Sequence, residues 1–216
     1  MQHNYRSLII GAGTYGEVYL SYLKEEGVNV IGFIDDNPEL VGTLICDCPV
    51  LGTRSDLNAI KEKYSIDAVY CPIGDNKLRV QFLEEASAIG LKTPNFIHRS
   101  VIISPNVRLG NGVYILMGSM IMPYAEIEDY VMISMNVCVA HHSKLKKGVF
   151  LSTGCNLGAS IIAEEYAYCG ISSTLMTGIK TIGKDSLIGA GAVVIRDVPD
   201  RAVMAGVPAK LLKLKE

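Results

Sequence analysis

Two stretches of this 216-residue chain place chemically useful residue types at informative spacings. Residues 11–16 read Gly11-Ala12-Gly13-Thr14-Tyr15-Gly16 and follow the apolar run Leu8-Ile9-Ile10 directly. Glycines spaced this way after a strand let backbone amides approach a phosphate at a helix N-terminus. Asp36 lies twenty residues beyond Gly16, where an acid can hydrogen-bond a ribose hydroxyl. A Gly-rich strand-to-helix turn also serves packing alone, so the motif by itself leaves both readings open. The second stretch is His141-His142. An imidazole titrates near neutrality and can take a proton from an attacking amine or hydroxyl. Of the other two histidines, His3 falls in an N-terminal segment expected to be mobile, and His98 stands beside a domain junction.

The glycine loop needs a sheet behind it. Leu8–Ile10 reads as a strand and residues 14–26 as a helix, with Tyr15, Val18, Tyr19, Tyr22 and Leu23 at helical spacing and Gly27 past its end. Residues 28–34 form a second strand ending at Asp35-Asp36-Asn37-Pro38, and 55–64 a helix. Residues 68–73 form a third strand, and Gly74-Asp75-Asn76 turns into a helix ending near Gly90. Alternating strands and helices imply a parallel sheet with helices on its faces. A dehydrogenase needs a second such half and a catalytic domain, and only one half fits before residue 97.

The histidine pair sits in a different pattern. Every sixth residue from Ile97 is apolar: Ile97, Ile103, Leu109, Ile115, Ile121, Ile127, Ile133, Val139, Leu145, Leu151, Leu157, Ala163, Cys169 and Leu175. The position four residues later is small or β-branched, as in Val113, Ser119, Ala125 and Ser143. The register slips by one residue around Ile179-Lys180-Thr181 and resumes at Ile182, Ile188 and Val194. A period of six is the signature of a parallel β-helix, in which each hexad supplies one flat face and three hexads close a triangular coil. Seventeen hexads make a little under six coils. The expected organisation is an α/β half-Rossmann parallel sheet over 1–96, a left-handed β-helix over 97–195, and a cap over 196–216 that folds back or forms a short helix.

Bulk properties narrow the function classes. The 20 basic and 22 acidic residues are spread along the chain, so no cationic face for nucleic acid is expected. The longest uncharged stretches are interrupted by Gly, Pro, Ser, Thr and Asn, and the N-terminal apolar run is short, so neither a membrane span nor a leader is expected, and a cytoplasmic location is. Cys46, Cys48, Cys71, Cys138, Cys155 and Cys169 read as reduced thiols rather than a metal set. Hexad prisms also carry zinc, as in gamma-class carbonic anhydrases, but such a site wants three histidines. Only two lie in this repeat, and neighbours on an extended strand point to opposite faces, so no metal is expected.

The hexads resemble those of the hexapeptide acyltransferases, whose prisms usually trimerise with active sites between neighbours. For transfer from a thioester, His141 suits the base, and the backbone amides of residues 156–159 suit oxyanion stabilisation. Over almost the whole chain, the stretches LIIGAGTYG, GFIDDNPEL, IGDNKLR, FIHRSVIISPNV and LIGAGAVVIRDVPDRAVMAGVPAK resemble the sugar acyltransferases of the sialic-acid O-acetyltransferase (NeuD) type. These include the PglD-type N-acetyltransferases of UDP-4-amino sugars and of GDP-perosamine. The resemblance implies that Gly13, Thr14, Tyr15, Asp35, Asp36 and Gly74 contact a nucleotide sugar, that His141 is the base, and that Phe150, Ala159, Ile171 and Gly189 contact acetyl-CoA. It also implies a homotrimer and a role in bacterial surface glycan synthesis. Lys210, after the Gly206-Val207-Pro208 turn, either faces the anionic end of coenzyme A or belongs to a solvated tail. Three positions depart from the pattern: His142 replaces the usual acid after the base, Phe150 a second histidine, and Ser134 an Asn near the sugar. N-acetylation of a nucleotide-linked amino sugar by direct attack is the expected reaction. O-acetylation of a sialic-acid-like sugar and a weakened sugar-nucleotide-binding scaffold are the alternatives.

Overall fold

A computed structural model describes residues 5–216, so His3 lies outside the described residues. The chain divides into two compact units between Pro94 and Asn95.

The N-terminal unit contains β1 (Arg6–Ile10), α1 (Thr14–Glu25), β2 (Asn29–Ile34), β3 (Leu44–Ile45), β4 (Cys48–Pro49), α2 (Leu57–Tyr64), β5 (Ala68–Tyr70) and α3 (Asn76–Ala88). Strands β2, β1 and β5 form a parallel sheet in that spatial order. Strand β1 is central, and Leu8, Ile9 and Ile10 are buried because both sheet faces are covered. Helix α1 buries Gly16, Tyr19, Leu20 and Leu23, while Val18 faces solvent, so the core stripe is rotated from the one expected. Strand β5 ends at Tyr70 rather than residue 73. Pro72 has no N–H to continue the ladder. The short hairpin β3–β4 was not expected. Its turn residues, Cys46 and Asp47, both have left-handed backbones with φ 48° and 61°, as a two-residue hairpin turn requires. That turn accounts for the close spacing of Cys46 and Cys48.

The second unit is a triangular prism of seventeen two-residue strands from Phe96–Ile97 to Val193–Val194. Each pairs in parallel with the strand one coil away, in three sheets. The pairing offset is 18 residues through Asn156↔Thr174 and 19 from Ile162↔Thr181, so the extra residue lies in the corner containing Gly178. The arrangement matches a left-handed β-helix. Hexad leaders from Ile115 to Val194 and the small corner residues Val113, Ala125, Val137 and Cys155 form one buried core. Ile103 is 37% exposed because it belongs to the first coil, at the end of the stack.

Corner residues stand in vertical rows with left-handed backbones. One row is Asn106, Tyr124, His142, Ser160 and Gly178; another is Gly118, Asn136, Gly154, Ser172 and Gly191. One prism face carries a charge ladder in which Glu126 pairs with Arg108 and Lys144, and Lys146 pairs with Glu164. Such exposed pairs mark a solvated face more than they stabilise it. Past Val194 the chain folds back as a hairpin, with Ala202–Ala205 extending one sheet and Lys210–Leu214 pairing antiparallel to it; no helix forms there. Among the described residues, no helix is long and apolar enough to cross a membrane.

Candidate functional site

The glycine loop closes the carboxyl end of β1. Gly11 has φ +99°, and its N–H donates to Ile34 O at 2.8 Å. A Cβ on Gly16 would lie 2.1 Å from Gly11 O, so the helix can approach the strand only with glycine there. Gly13 caps α1, and a Cβ there would meet nothing within 4 Å, so open space lies over the helix N-terminus. Thr14 begins the helix, and the Tyr15 ring packs edge-on against Tyr19 at 5.4 Å. Gly74, at the end of the β5 segment, also faces open space. A cleft of about 230 Å³ runs between these turns, lined by Ile10, Gly11, Asp35, Asp36, Arg54, Ile73 and Phe82. It lies at the carboxyl ends of the strands, where their order reverses about β1, the usual binding crevice of an open α/β sheet.

Both acids beside the cleft help to build its walls. Asp35 Oδ2 accepts the Ala12 N–H at 2.8 Å, and Oδ1 accepts the Asn37 N–H at 2.9 Å. Asp36 Oδ1 accepts the Arg54 N–H at 3.0 Å, and the guanidinium lies 3.5 Å from Oδ2. The same guanidinium stacks over Phe82 at 4.3 Å and pairs with Glu85 at 3.3 Å. Sequence reasoning missed Arg54 and Phe82, because no local pattern marks residues drawn together from a 3-10 turn and α3. It also missed Arg79, which is fully buried and donates to Ile73 O at 2.9 Å and Asn76 Oδ1 at 3.0 Å. Those bonds fix the turn that carries Gly74.

In the prism, His141 and His142 follow the strand Cys138–Val139 and are exposed at a corner. The expectation that their side chains diverge does not hold. His142 has φ 59°, and this left-handed bend brings the rings together, with Nδ1 to Nδ1 at 3.0 Å. The His142 ring stacks on Tyr124, with centroids 4.9 Å apart and planes at 29°. His98 is enclosed and structural: its Nδ1 accepts the Ser100 N–H at 3.1 Å.

Ala159 lies one coil beyond His141 in the same corner, where the Ser160 N–H donates to His141 O at 3.0 Å. The expected row of free amides is not there. Asn156 and Gly158 donate to Ser173 O and Leu175 O, both at 2.9 Å. The Ala159 N–H instead donates to Thr177 Oγ1 at 3.2 Å, a partner that can rotate away. Phe150 is buried edge-on to Tyr168 at 5.2 Å, on a different face from His141. Ile171, 54% exposed, and Gly189 follow later strands of the Phe150 face. Ser134 is 2% exposed, and its hydroxyl is 2.9 Å from Thr153 Oγ1, so it faces no open surface of the chain. Lys210 is exposed at the start of the last strand. Among the described residues, no cluster of three or more His, Cys, Asp or Glu is arranged to hold a metal ion.

A half-Rossmann unit followed by a hexad prism with a corner histidine defines a hexapeptide-repeat acyltransferase architecture. Residues 7–86 match the family model described as the PglD N-terminal domain. PerB, a GDP-perosamine N-acetyltransferase from Caulobacter crescentus solved with CoA and GDP-perosamine, superimposes with TM-score 0.90 and 32% identity, covering 96% of this chain and 97% of that one. The acetyltransferase domain of PglB from Neisseria gonorrhoeae, solved with acetyl coenzyme A, gives TM-score 0.86 and 28% identity over 97% of this chain and 100% of that one. Serine acetyltransferase of Salmonella typhimurium is 25% identical over 82% of this chain, and the chain spans 63% of its length. The chain belongs to the PglD-type hexapeptide acyltransferases.

Proposed function

We propose that this protein transfers acetyl from acetyl-CoA to the amino group of a nucleotide-linked amino sugar, in the cytoplasm, for bacterial glycan synthesis. The observation that carries the reading is His141: an exposed imidazole whose Nδ1 is engaged by His142, leaving Nε2 for substrate, one coil from the Ala159 amide. The amine nitrogen attacks the thioester carbonyl carbon, and Nε2 of His141 takes its proton. The Ala159 N–H supports the oxyanion in place of its bond to Thr177. Collapse breaks the C–S bond, and the imidazolium returns the proton to the departing thiolate, giving the amide and free CoA without an acyl-enzyme. The cleft beside Gly13, Asp35, Asp36 and Gly74 suits the nucleotide. CoA and GDP-perosamine bound to PerB, and PerB variants with a histidine changed to alanine or asparagine, support this reading.

The placement of the site residues on the prism faces supports a trimeric assembly. His141 borders one prism face, whereas Phe150, Ile171 and Gly189 mark another. A homotrimer sets one copy's histidine corner beside its neighbour's Phe150 face, and the exposed Ile102 and Met120 beside that corner suit such contact.

Thiol release from acetyl-CoA, measured across UDP-, GDP- and dTDP-linked amino sugars, tests the function. Release with at least one amine acceptor is expected. Release only with acceptors bearing hydroxyls and no amine would overturn N-acetylation. His141→Ala is expected to lower kcat/KM by about 100-fold or more; a loss under about threefold would show that His141 is not the base.

A further inference from the structure

We infer that His142 is the positioning residue for His141, setting its tautomer through an Nδ1–H···Nδ1 bond, with Tyr124 holding the plane of the His142 ring. The inference rests on the proposed acetyl transfer. Two imidazole nitrogens 3.0 Å apart cannot both present lone pairs or both present hydrogens, so one proton lies between them. With that proton on His141, its Nε2 carries the lone pair a base needs. With it on His142, the hydrogen of neutral His141 moves to Nε2 and the base is lost. Only the first arrangement survives when His141 accepts a substrate proton, because the imidazolium then donates Nδ1–H to a neutral acceptor.

The surrounding structure holds His142 in place. Its backbone N–H donates to Pro123 O at 3.2 Å, its left-handed φ of 59° directs the ring toward His141, and the ring stacks on the Tyr124 face with centroids 4.9 Å apart. Tyr130 and Tyr166 also occupy left-handed corners, so backbone conformation alone does not distinguish Tyr124. The stacked ring does. A second imidazole can therefore replace a carboxylate as the orienting acceptor without placing a negative charge beside the acyl donor.

The test uses substitutions that the left-handed backbone accepts. His142→Gly removes the acceptor, and His142→Asn supplies a carbonyl oxygen in its place. His142→Gly is expected to lower kcat at least about tenfold with both KM values within about twofold, and His142→Asn to recover to within about threefold of wild type. The ¹⁵N spectrum of His141 in the free protein is expected to show Nδ1–H in the wild type and a shift toward Nε2–H in His142→Gly. A His142→Gly kcat within about threefold of wild type, an Asn variant no better than Gly, or a wild-type His141 protonated on Nε2 would each overturn the inference. If the wild-type protein acetylates no amino sugar, the proposed function fails while the ¹⁵N spectrum still decides the pair.

Discussion

The backbone N–H of Ala12 donates to the Asp35 carboxylate at 2.8 Å, tying the glycine loop to the end of the neighbouring strand. The other oxygen of Asp35 accepts from Asn37, so one side chain holds two cleft turns at once. Asp35→Ala frees both amides and lets the loop drift from the position that suits a phosphate. KM for the nucleotide sugar is expected to rise about tenfold, near 1.4 kcal/mol, while kcat and KM for acetyl-CoA stay within about twofold. Asp35→Asn, which keeps one acceptor, is expected to fall between. Steady-state kinetics with each substrate varied in turn checks this, and an unchanged nucleotide-sugar KM in Asp35→Ala would refute it.

What the sequence made legible followed from periodicity. The hexads from Ile97 to Leu175 and the slip before Ile182 map onto the coils because one inward side chain per face recurs whatever the chain does elsewhere. Gly11, the first residue of GAGTYG, and Asp36 likewise line one cleft. The contacts that needed three dimensions were hidden. Arg54 reaches Phe82 across 28 residues, and Arg79 disappears into the core beneath Gly74. His141 and His142 were expected to diverge because an extended strand alternates its side chains; a left-handed corner reverses that rule, and histidine gives no warning of one.

The Ala159–Thr177 bond gives a second prediction. If the Ala159 N–H serves the oxyanion, the Thr177 hydroxyl competes with it at 3.2 Å. Thr177→Val removes the competitor while keeping a β-branched side chain. Its kcat is expected to equal or exceed that of wild type, whereas Thr177→Asp, which offers a stronger anionic acceptor, is expected to lower kcat by about tenfold. Single-turnover kinetics distinguishes the two. A fall in kcat for Thr177→Val of more than about threefold would mean that the hydroxyl itself assists the reaction.

Acid should weaken the prism in a defined direction. A hydrogen bond from Arg108 holds the Glu126 carboxyl below its ordinary value, and Lys184 does the same for Glu165. The backbone N–H groups of Lys180 and Thr181 lower Asp197. A carboxyl whose folded pKa lies below its unfolded one adds stability that is complete above the unfolded value and is lost as pH falls through the folded value. The urea midpoint is therefore expected to be flat from about pH 7 to pH 5 and to drop below about pH 4. Added salt should shrink the contributions of the exposed Glu126 and Glu165 pairs, and Asp197→Asn should flatten part of the acid limb. A midpoint that rises on acidification would contradict the assignment.

Thiol reactivity reports on both units at once. Cys46 is exposed on the β3–β4 turn, and Cys138 is half-buried on the strand before His141. Burial raises the Cys48 thiol and pushes Cys71 up to about 12, while Cys155 and Cys169 lie in the prism core. Only the thiolate attacks a disulfide reagent, and only a thiol the reagent can reach, so exposure favours Cys46 while burial protects Cys48 and Cys71. With excess reagent near pH 8, the native protein is expected to show one fast thiol, a slower second from Cys138, and four more only on unfolding. Cys46→Ser should abolish the fast phase and leave the rest unchanged. A fast phase that persists in Cys46→Ser would mean that one of the enclosed thiols opens to solvent on the labelling timescale.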